Sequence, residues 1–235
     1  MTESIILIDK PAGLSSFGVV ARVRRWLSDR AGTVQVKGKD GTWREKRKKV
    51  KVGHTGTLDP FATGLLILLT GKETKRAGEF LKLDKEYITT VRLGATSTTG
   101  DPEGEIQEQK VESVPDLAKV EATVRDFVGE ILQTVPNFSA VKINGQRAYK
   151  LAREGKAVEM PKRKVRIYEL EILRYEWPEL ELRCKVSSGT YIRALGEDIG
   201  RQLGVGGYLT QLRRTQIGEY RVENAQSLAD FGGVA

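Results

Sequence analysis

The chain is poor in the residues that build covalent crosslinks and metal sites. Among its 235 residues there is one cysteine, Cys184, and one histidine, His54. A single cysteine excludes an internal disulfide and favours a reducing compartment, so we expect a cytoplasmic protein. One cysteine and one histidine are also too few for the usual zinc or iron–sulfur ligand sets, and we expect no metal and no cofactor. The longest compact apolar run, Leu65–Leu69, is far shorter than a membrane span, so no membrane partner is expected.

Positive charge is concentrated in two segments. The chain has 39 basic and 31 acidic residues, a net charge of +8. Residues 33–52 carry a net charge of +6 and residues 142–166 carry +7, which leaves an acidic remainder. Either segment alone is compatible with a solvated loop. Two such segments on an acidic body favour a polyanionic partner, most simply a nucleic acid.

The periodicity of the sequence predicts more strands than helices, without strict alternation between them. This order favours an α+β fold with a mixed, mostly antiparallel central sheet flanked by helices. We expect Ser16 to cap the first helix, which places Phe17 and Val20 on its apolar face. Strands are predicted at 4–9, 65–69, 85–93, 165–177 and 179–187, helices at 16–27, 116–128, 147–154 and 190–203, and a loop or weak hairpin at 28–52.

Residues 53–64, with the sequence GHTGTLDPFATG, form the most informative segment. Three glycines and a proline predict an ordered turn. The simplest interpretation of Asp59 is that it caps this turn before Pro60. A generic turn, however, does not need a histidine, two threonines and a leucine in this order. We therefore interpret the segment as a functional loop.

This loop resembles the catalytic loop of the TruB family of tRNA pseudouridine synthases. Other segments resemble that family's motifs in the same order, and the match spans roughly residues 4–220. The resemblance implies a pseudouridine synthase catalytic domain over 1–222, and a stub at 223–235 in place of a full RNA-binding domain of the PUA type. It also implies an RNA-gripping insertion at about 135–165, while the basic stretch 33–52 is an insertion relative to the family. The matching motifs lie at 9–16, 85–87, 136–149, 188–193 and 212–215.

The resemblance assigns three catalytic residues. Asp59 would be the carboxylate nucleophile, acting either at the sugar C1′ or at C6 of the uracil. Arg193 would hold that carboxylate in a fixed pose, because a planar guanidinium pairs well with a carboxylate. Tyr87 would remove a proton after the base has turned.

The resemblance also implies a substrate-binding set. His54 would help to take the target nucleotide out of its stack, and Leu212 would form an apolar wall beside the uracil. Lys10 would contact phosphate or brace the cleft. The complete set is His54, Tyr191, Leu212, Lys10, Lys142, Arg147 and Tyr149.

From this resemblance we expect a monomeric enzyme that isomerises uridine 55 in the T arm of tRNA. Three alternatives stay open at this point. One is a non-catalytic RNA-binding or RNA-folding protein that uses the same cleft. The second is a guide-RNA-dependent synthase of the archaeal type. The third is a glycosidase, which is disfavoured because the motifs offer no partner carboxylate.

Overall fold

The computed structural model describes residues 4–139, 141–143, 145–154 and 159–232. The chain forms two compact units. The first unit comprises Met1–Leu83 and Arg213–Ala235, and the second comprises Asp84–Leu212. The strands are β1 (Ile5–Lys10), β2 (Thr33–Lys37), β3 (Trp43–Arg47), β4 (Val52–His54), β5 (Thr63–Thr70), β6 (Lys85–Leu93), β7 (Ala95–Ser97), β8 (Ile106–Glu108), β9 (Gly129–Thr134), β10 (Lys142–Ile143), β11 (Gln146–Arg147), β12 (Lys162–Glu176), β13 (Glu179–Val186), β14 (Gly207–Ile217), β15 (Tyr220–Arg221) and β16 (Gln226–Ser227). The α-helices are α1 (Ser16–Arg30), α2 (Ala77–Leu81), α3 (Leu117–Asp126), α4 (Ala148–Arg153) and α5 (Ile192–Leu203).

Strand β5 organises the first unit. Its apolar run is buried on both faces, which explains why it lacks the alternation of a half-exposed strand. Leu66 and Leu68 pack against α1, while Leu65 and Ile67 pack in a second cluster with Phe80. β5 pairs antiparallel with β1 and β4 and parallel with the end of β14.

The start of α1 differs from the sequence-based expectation. The capping residue is Ser15, whose hydroxyl accepts a hydrogen bond from the backbone N–H of Gly18, rather than Ser16. On this helix Val19, Val20 and Val23 are buried, whereas Phe17 is 65% exposed. The assignment of Phe17 to the apolar face was therefore wrong. Two adjacent serines are equally good caps by sequence, and tertiary contacts select between them.

Residues 28–52 contain a hairpin, as the weaker of the two expectations for this stretch allowed. β2 and β3 pair antiparallel from Thr33 opposite Arg47 to Lys37 opposite Trp43. Every residue of both strands is exposed.

The second unit is built on an antiparallel sheet. β6 pairs with β13, β13 with β12, and β12 with β9, while β14 runs beside β6. Asp116 caps α3 as expected, with its carboxylate accepting from the N–H of Lys119. α5 begins at Ile192, two residues later than expected, because Tyr191 occupies the N-cap.

Together these elements confirm the α+β class with mostly antiparallel pairing. β9 and β14 were not predicted, because polar and apolar residues do not alternate regularly along them. The predicted turn at Asn144-Gly145 lies partly outside the described residues. Within the part of the chain that the structure describes, no helix is long and apolar enough to span a membrane.

Candidate active site

Lys10 braces the loop that carries Asp59. Its side chain is fully buried, and its Nζ donates to the carbonyls of Pro11, Leu14 and Pro60 at 2.8, 2.7 and 3.2 Å. Three carbonyl acceptors match the three donors of an ammonium group. This arrangement supports the bracing role, and contact of Lys10 with substrate phosphate stays a prediction.

The backbone on both sides of Asp59 is held by hydrogen bonds. The Ser16 hydroxyl donates to the Leu58 carbonyl at 2.9 Å and accepts from the Leu58 N–H at 2.8 Å. On the other side, the Pro60 carbonyl accepts from the Gly13 N–H at 2.8 Å. The Asp59 side chain itself is half-buried. The loop therefore presents its carboxylate from a backbone whose position is fixed by neighbouring elements.

Arg214 anchors the same loop from β14. Its guanidinium is almost fully buried and donates through Nε to the Leu65 carbonyl at 2.8 Å and through Nη2 to the Gly56 carbonyl at 3.2 Å. Gly64 has φ +99°, and a Cβ there would lie 2.3 Å from the Arg214 carbonyl oxygen. The glycine that ends the loop is thus required both by its conformation and by the close passage of β14.

His54 is an uncharged group at neutral pH. Burial, and then the positive charge of Arg214, lower the pKa of His54 below its usual 6.5. The Gly56 N–H lies 3.3 Å from Nδ1 and donates to it, which requires that Nδ1 carries no proton. His54 therefore offers an apolar ring face and one N–H at Nε2, rather than a cation.

In the second unit, Arg193 lies in a buried polar cluster. It is 5% exposed, and its two Nη atoms donate to the carbonyls of Thr99 and Phe138 at 2.6 and 2.7 Å. Asp101, which is 3% exposed, forms an ion pair with Nη1 at 3.2 Å. The pairing of Arg193 with Asp59 stays a prediction.

Asp101 is a buried partner of Arg193 that the sequence analysis missed. Its carboxylate also accepts from the Thr99 hydroxyl at 2.5 Å and from the Glu103 N–H at 3.0 Å. It lies before a proline in a stretch that reads as a turn, and nothing in its local sequence separates it from an ordinary turn residue.

The backbone of Tyr191 is fixed by a single glutamine. The Tyr191 N–H donates to Oε1 of Gln133 at 2.8 Å, and Nε2 of Gln133 donates to the Tyr191 carbonyl at 3.0 Å. Gln133 is 1% exposed, while the Tyr191 side chain is half-buried. This bidentate contact holds the N-terminal end of α5 in position for Arg193.

Tyr87 and Leu212 lie on neighbouring strands, β6 and β14, and each is 7% exposed. The Thr89 hydroxyl donates to the carbonyl of Gln211 at 2.6 Å, which links the two strands next to these residues. Opposite Tyr87 on β13 lies Cys184, and burial raises the pKa of its thiol to about 12. Cys184 is therefore a packing residue rather than a nucleophile.

The basic insertion in the second unit is described in part. The Tyr149 N–H donates to the Ser139 carbonyl at 3.1 Å, and the Tyr149 side chain is half-buried. Lys142 and Arg147 pair in the β10–β11 hairpin. Their side chains lie outside the described part of the chain, so their roles in gripping RNA stay predictions.

Each unit thus contributes a distinct chemical set. The first has a carboxylate on a braced loop and a neutral imidazole. The second has a buried guanidinium, a phenol and an apolar leucine. A carboxylate suits nucleophilic attack, and an imidazole or a phenol suits proton transfer.

Comparison with protein families agrees with this chemistry. Residues 44–192 match the model described as TruB family pseudouridylate synthase (N terminal domain). Residues 193–233 match the model described as tRNA pseudouridylate synthase B C-terminal domain.

Relatives named tRNA pseudouridine synthase B resemble the chain over nearly its whole length. The protein named tRNA pseudouridine synthase B from Thermobifida fusca is 42% identical over 98% of this chain and 75% of its own length. The protein of the same name from Aquifex aeolicus is 44% identical over 97% of this chain and 73% of its own length. The protein of the same name from Phocaeicola vulgatus is 42% identical over 97% of this chain and 91% of its own length.

Among solved structures, the archaeal box H/ACA sRNP Nop10-Cbf5 complex contains a chain with a TM-score of 0.65 and 28% identity. A Cbf5-Nop10-Gar1 complex gives a TM-score of 0.67 and 29% identity. The alignments cover 97% and 96% of this chain but only 52% of each of those chains, so this chain spans about half of their length. These neighbours confirm the expected fold.

Proposed function

The chain belongs to the TruB family of pseudouridylate synthases, and from this membership we propose that it converts uridine 55 in the T arm of tRNA to pseudouridine. The observation that carries the proposal is identity of 42–44% over nearly the whole chain to proteins named tRNA pseudouridine synthase B. We further propose that it acts as a monomer. Its single cysteine favours a reducing compartment, and we propose the cytoplasm.

The reaction breaks the N1–C1′ glycosidic bond, turns the uracil and forms a C5–C1′ bond. A proton leaves C5 and one is gained at N1, so the product is an isomer of the substrate, and no oxidant or reductant enters the balance. We assign the nucleophile to Asp59, which attacks at C1′ or at C6. Its braced backbone supports this role, because a fixed nucleophile avoids the cost of reorganisation when the bond forms.

Arg193 is proposed to act on the Asp59 carboxylate as a fixed cation. The carbonyls of Thr99 and Phe138 and the carboxylate of Asp101 hold its guanidinium, so its plane is set before substrate binds. A charge-assisted bond from such a group keeps a carboxylate ionised and aimed.

The other residues are proposed to hold the flipped uridine. Extracting a nucleotide from its stack costs roughly a few kcal/mol, which contacts with the extracted base and its neighbours must offset. Neutral His54 can fill the space left by the nucleotide without the cost of burying a charge. Leu212 and Tyr191 can contact the uracil ring, and we assign the acceptance of the C5 proton to the phenol oxygen of Tyr87, which lies on β6.

The direct test is tritium release from an unmodified tRNA transcript labelled at C5 of its uridines, followed by chemical mapping of pseudouridine. We expect one modified position, 55, and no release from a transcript with cytidine there. Asp59→Asn should abolish release and keep the Kd for tRNA within a few-fold, since the shape is retained. Asp230→Asn, which removes an exposed carboxylate in the same unit, should release tritium normally.

Two results would contradict the proposal. Tight tRNA binding by the unsubstituted protein without tritium release would favour a non-catalytic RNA-binding protein. Release by Asp59→Asn near the normal rate would exclude Asp59 as the nucleophile.

A further inference from the structure

We propose that the basic hairpin, defined as residues 33–51, binds the sugar–phosphate backbone of the RNA substrate. This inference rests on the proposed function for the identity of the RNA. It concerns a surface outside the catalytic loop. Residues 33–43 of the hairpin precede the start of the match to the N-terminal family model, and the rest lie within it.

The hairpin carries more positive charge than its own acids can neutralise. It contains eight basic residues and two acidic ones. Arg44 forms an ion pair with Asp40, and Arg47 with Asp29 of α1 at 2.5 Å. Among the described residues the other six, all lysines, form no ion pair. Like charges at this density repel one another, and a polyanion relieves that repulsion.

The strand register sorts these side chains onto two faces. Val34 lies opposite Lys46 and Val36 opposite Arg44, so these four share one face. Lys37 and Trp43 are paired on the other face. Each face therefore combines cations with an apolar group, and the two faces differ mainly in the size of that group.

Trp43 supplies a second type of contact. Its side chain is 66% exposed at the end of β3 next to the hairpin turn. An exposed tryptophan beside lysines suits stacking on an unpaired base, which is largely independent of sequence. The membrane alternative is weaker, because the apolar groups on the hairpin are few and divided between its faces.

The base of the hairpin is attached to the end of α1. The Val50 N–H donates to the Ser28 hydroxyl at 3.1 Å, and the Lys48 N–H donates to the Gly32 carbonyl at 2.9 Å. Together with the Arg47–Asp29 ion pair, these bonds order a two-stranded element that would be marginal alone. A freely solvated loop would not need such attachment.

The hairpin also leads directly into the catalytic loop. Residues 48–51 join β3 to β4, and β4 ends at His54. Lys48 lies six residues before His54, so the two are at most about 22 Å apart even when the chain is fully extended. An RNA held at His54 therefore has phosphates within reach of Lys48 and Lys49.

The test compares two triple variants that lose equal charge. One carries Lys39→Gln, Lys46→Gln and Lys48→Gln in the basic hairpin. The other carries Lys75→Gln, Lys82→Gln and Lys110→Gln, which are exposed lysines outside it that form no ion pair among the described residues. The Kd for tRNA transcript is measured from 50 to 300 mM salt.

We expect the hairpin triple to weaken tRNA binding about tenfold or more near 0.1 M salt. The slope of log Kd against log salt should fall by about 2, from 0.7–0.9 per lost phosphate contact. The weaker tRNA binding of this variant should appear as a higher KM. Trp43→Ala should weaken binding with an unchanged salt slope, because stacking releases no counterions.

Equal effects of the two triples would show a general charge effect and overturn the proposal. An unchanged Kd in the hairpin triple would also overturn the proposal, because it would show that the basic hairpin is solvated and does not contact the RNA. If the unsubstituted protein binds tRNA without forming pseudouridine, the proposed function fails, while the comparison of Kd values still decides the role of the hairpin.

Discussion

Two adjacent arginines on β14 permit a sharp test of how the catalytic loop is held. Arg214 is buried and donates to the carbonyls of Leu65 and Gly56, whereas Arg213 is 41% exposed in its side chain and forms a bidentate ion pair with Asp9 at 3.0 and 2.7 Å. We predict that Arg214→Met loosens the loop and that Arg213→Met does not.

The expected loss of stability follows from the groups left behind. In Arg214→Met two buried carbonyls lose charged donors, each worth about 1–3 kcal/mol, and the relief of no longer burying a cation offsets part of this. We expect a net decrease of about 2–4 kcal/mol in the free energy of unfolding. For a chain of this size that lowers Tm by roughly 5–15 °C. Arg213→Met removes a partly exposed pair, worth about 1 kcal/mol or less.

His54 supplies an independent readout. Burial and the Arg214 charge both lower its pKa, so Arg214→Met should raise that pKa towards 6.5 without reaching it, because burial persists. When the pKa of a histidine is lower in the folded than in the unfolded state, its contribution to the free energy of unfolding is fully present above pH 6.5. That contribution is lost as the pH falls below 6.5 and through the pKa of the folded state. The acid sensitivity of stability should therefore decrease in Arg214→Met.

The measurements are thermal unfolding between pH 5 and 8 and NMR titration of the imidazole protons. Because the chain has only one histidine, the titration needs no assignment. Arg213→Met should leave the His54 pKa unchanged. Equal Tm values for the two variants, or a His54 pKa that is the same in Arg214→Met as in the unsubstituted protein, would refute this account of the loop.

Three further predictions follow from the site. Tyr87→Phe should lower the single-turnover rate far more than tRNA affinity; an unchanged rate would make Tyr87 a packing residue. Lys10→Met should destabilise the protein by about 2–4 kcal/mol in urea unfolding, because three carbonyls lose one buried donor, and a change below 0.5 kcal/mol would contradict the bracing role. Cys184 should resist thiol reagents at pH 8 in the folded protein and react on unfolding, since burial raises its pKa to about 12; rapid labelling without unfolding would disprove this.

The sequence correctly predicted the helices and strands that carry a regular pattern of apolar residues or a clear capping residue. β6 begins and ends where its alternating β-branched residues indicate, at Lys85 and Leu93. Asp116 caps α3 as its position before an apolar stretch indicates. β14 was not predicted because its residues do not alternate between polar and apolar. Two arginines stand side by side on it, Arg214 buried and Arg213 exposed, and each is placed by its hydrogen-bonding partners.

The candidate site was predictable in its residues and not in its supports. The motif containing Asp59 carries the resemblance, but the partners of its loop come from positions 42 or more residues distant, such as Lys10 and Ser16 before it and Arg214 after it. A single sequence gives no pairing information between such positions. For the same reason the three carbonyl acceptors of Lys10 could not be identified from the sequence.

The supports of the loop have a shared chemical character that bears on mechanism. Lys10 and Arg214 are buried cations whose described partners at the loop are backbone carbonyls, and Ser16 satisfies both the N–H and the carbonyl of Leu58. Burying such groups is costly, and the cost is offset only while every donor meets its acceptor. The loop is therefore held in one conformation. If that conformation were lost, several buried charged or polar groups would lose their hydrogen-bond partners at once. As the proposed nucleophile, Asp59 on such a loop would not need to be organised by the substrate, so binding energy from the RNA would remain available to extract the uridine.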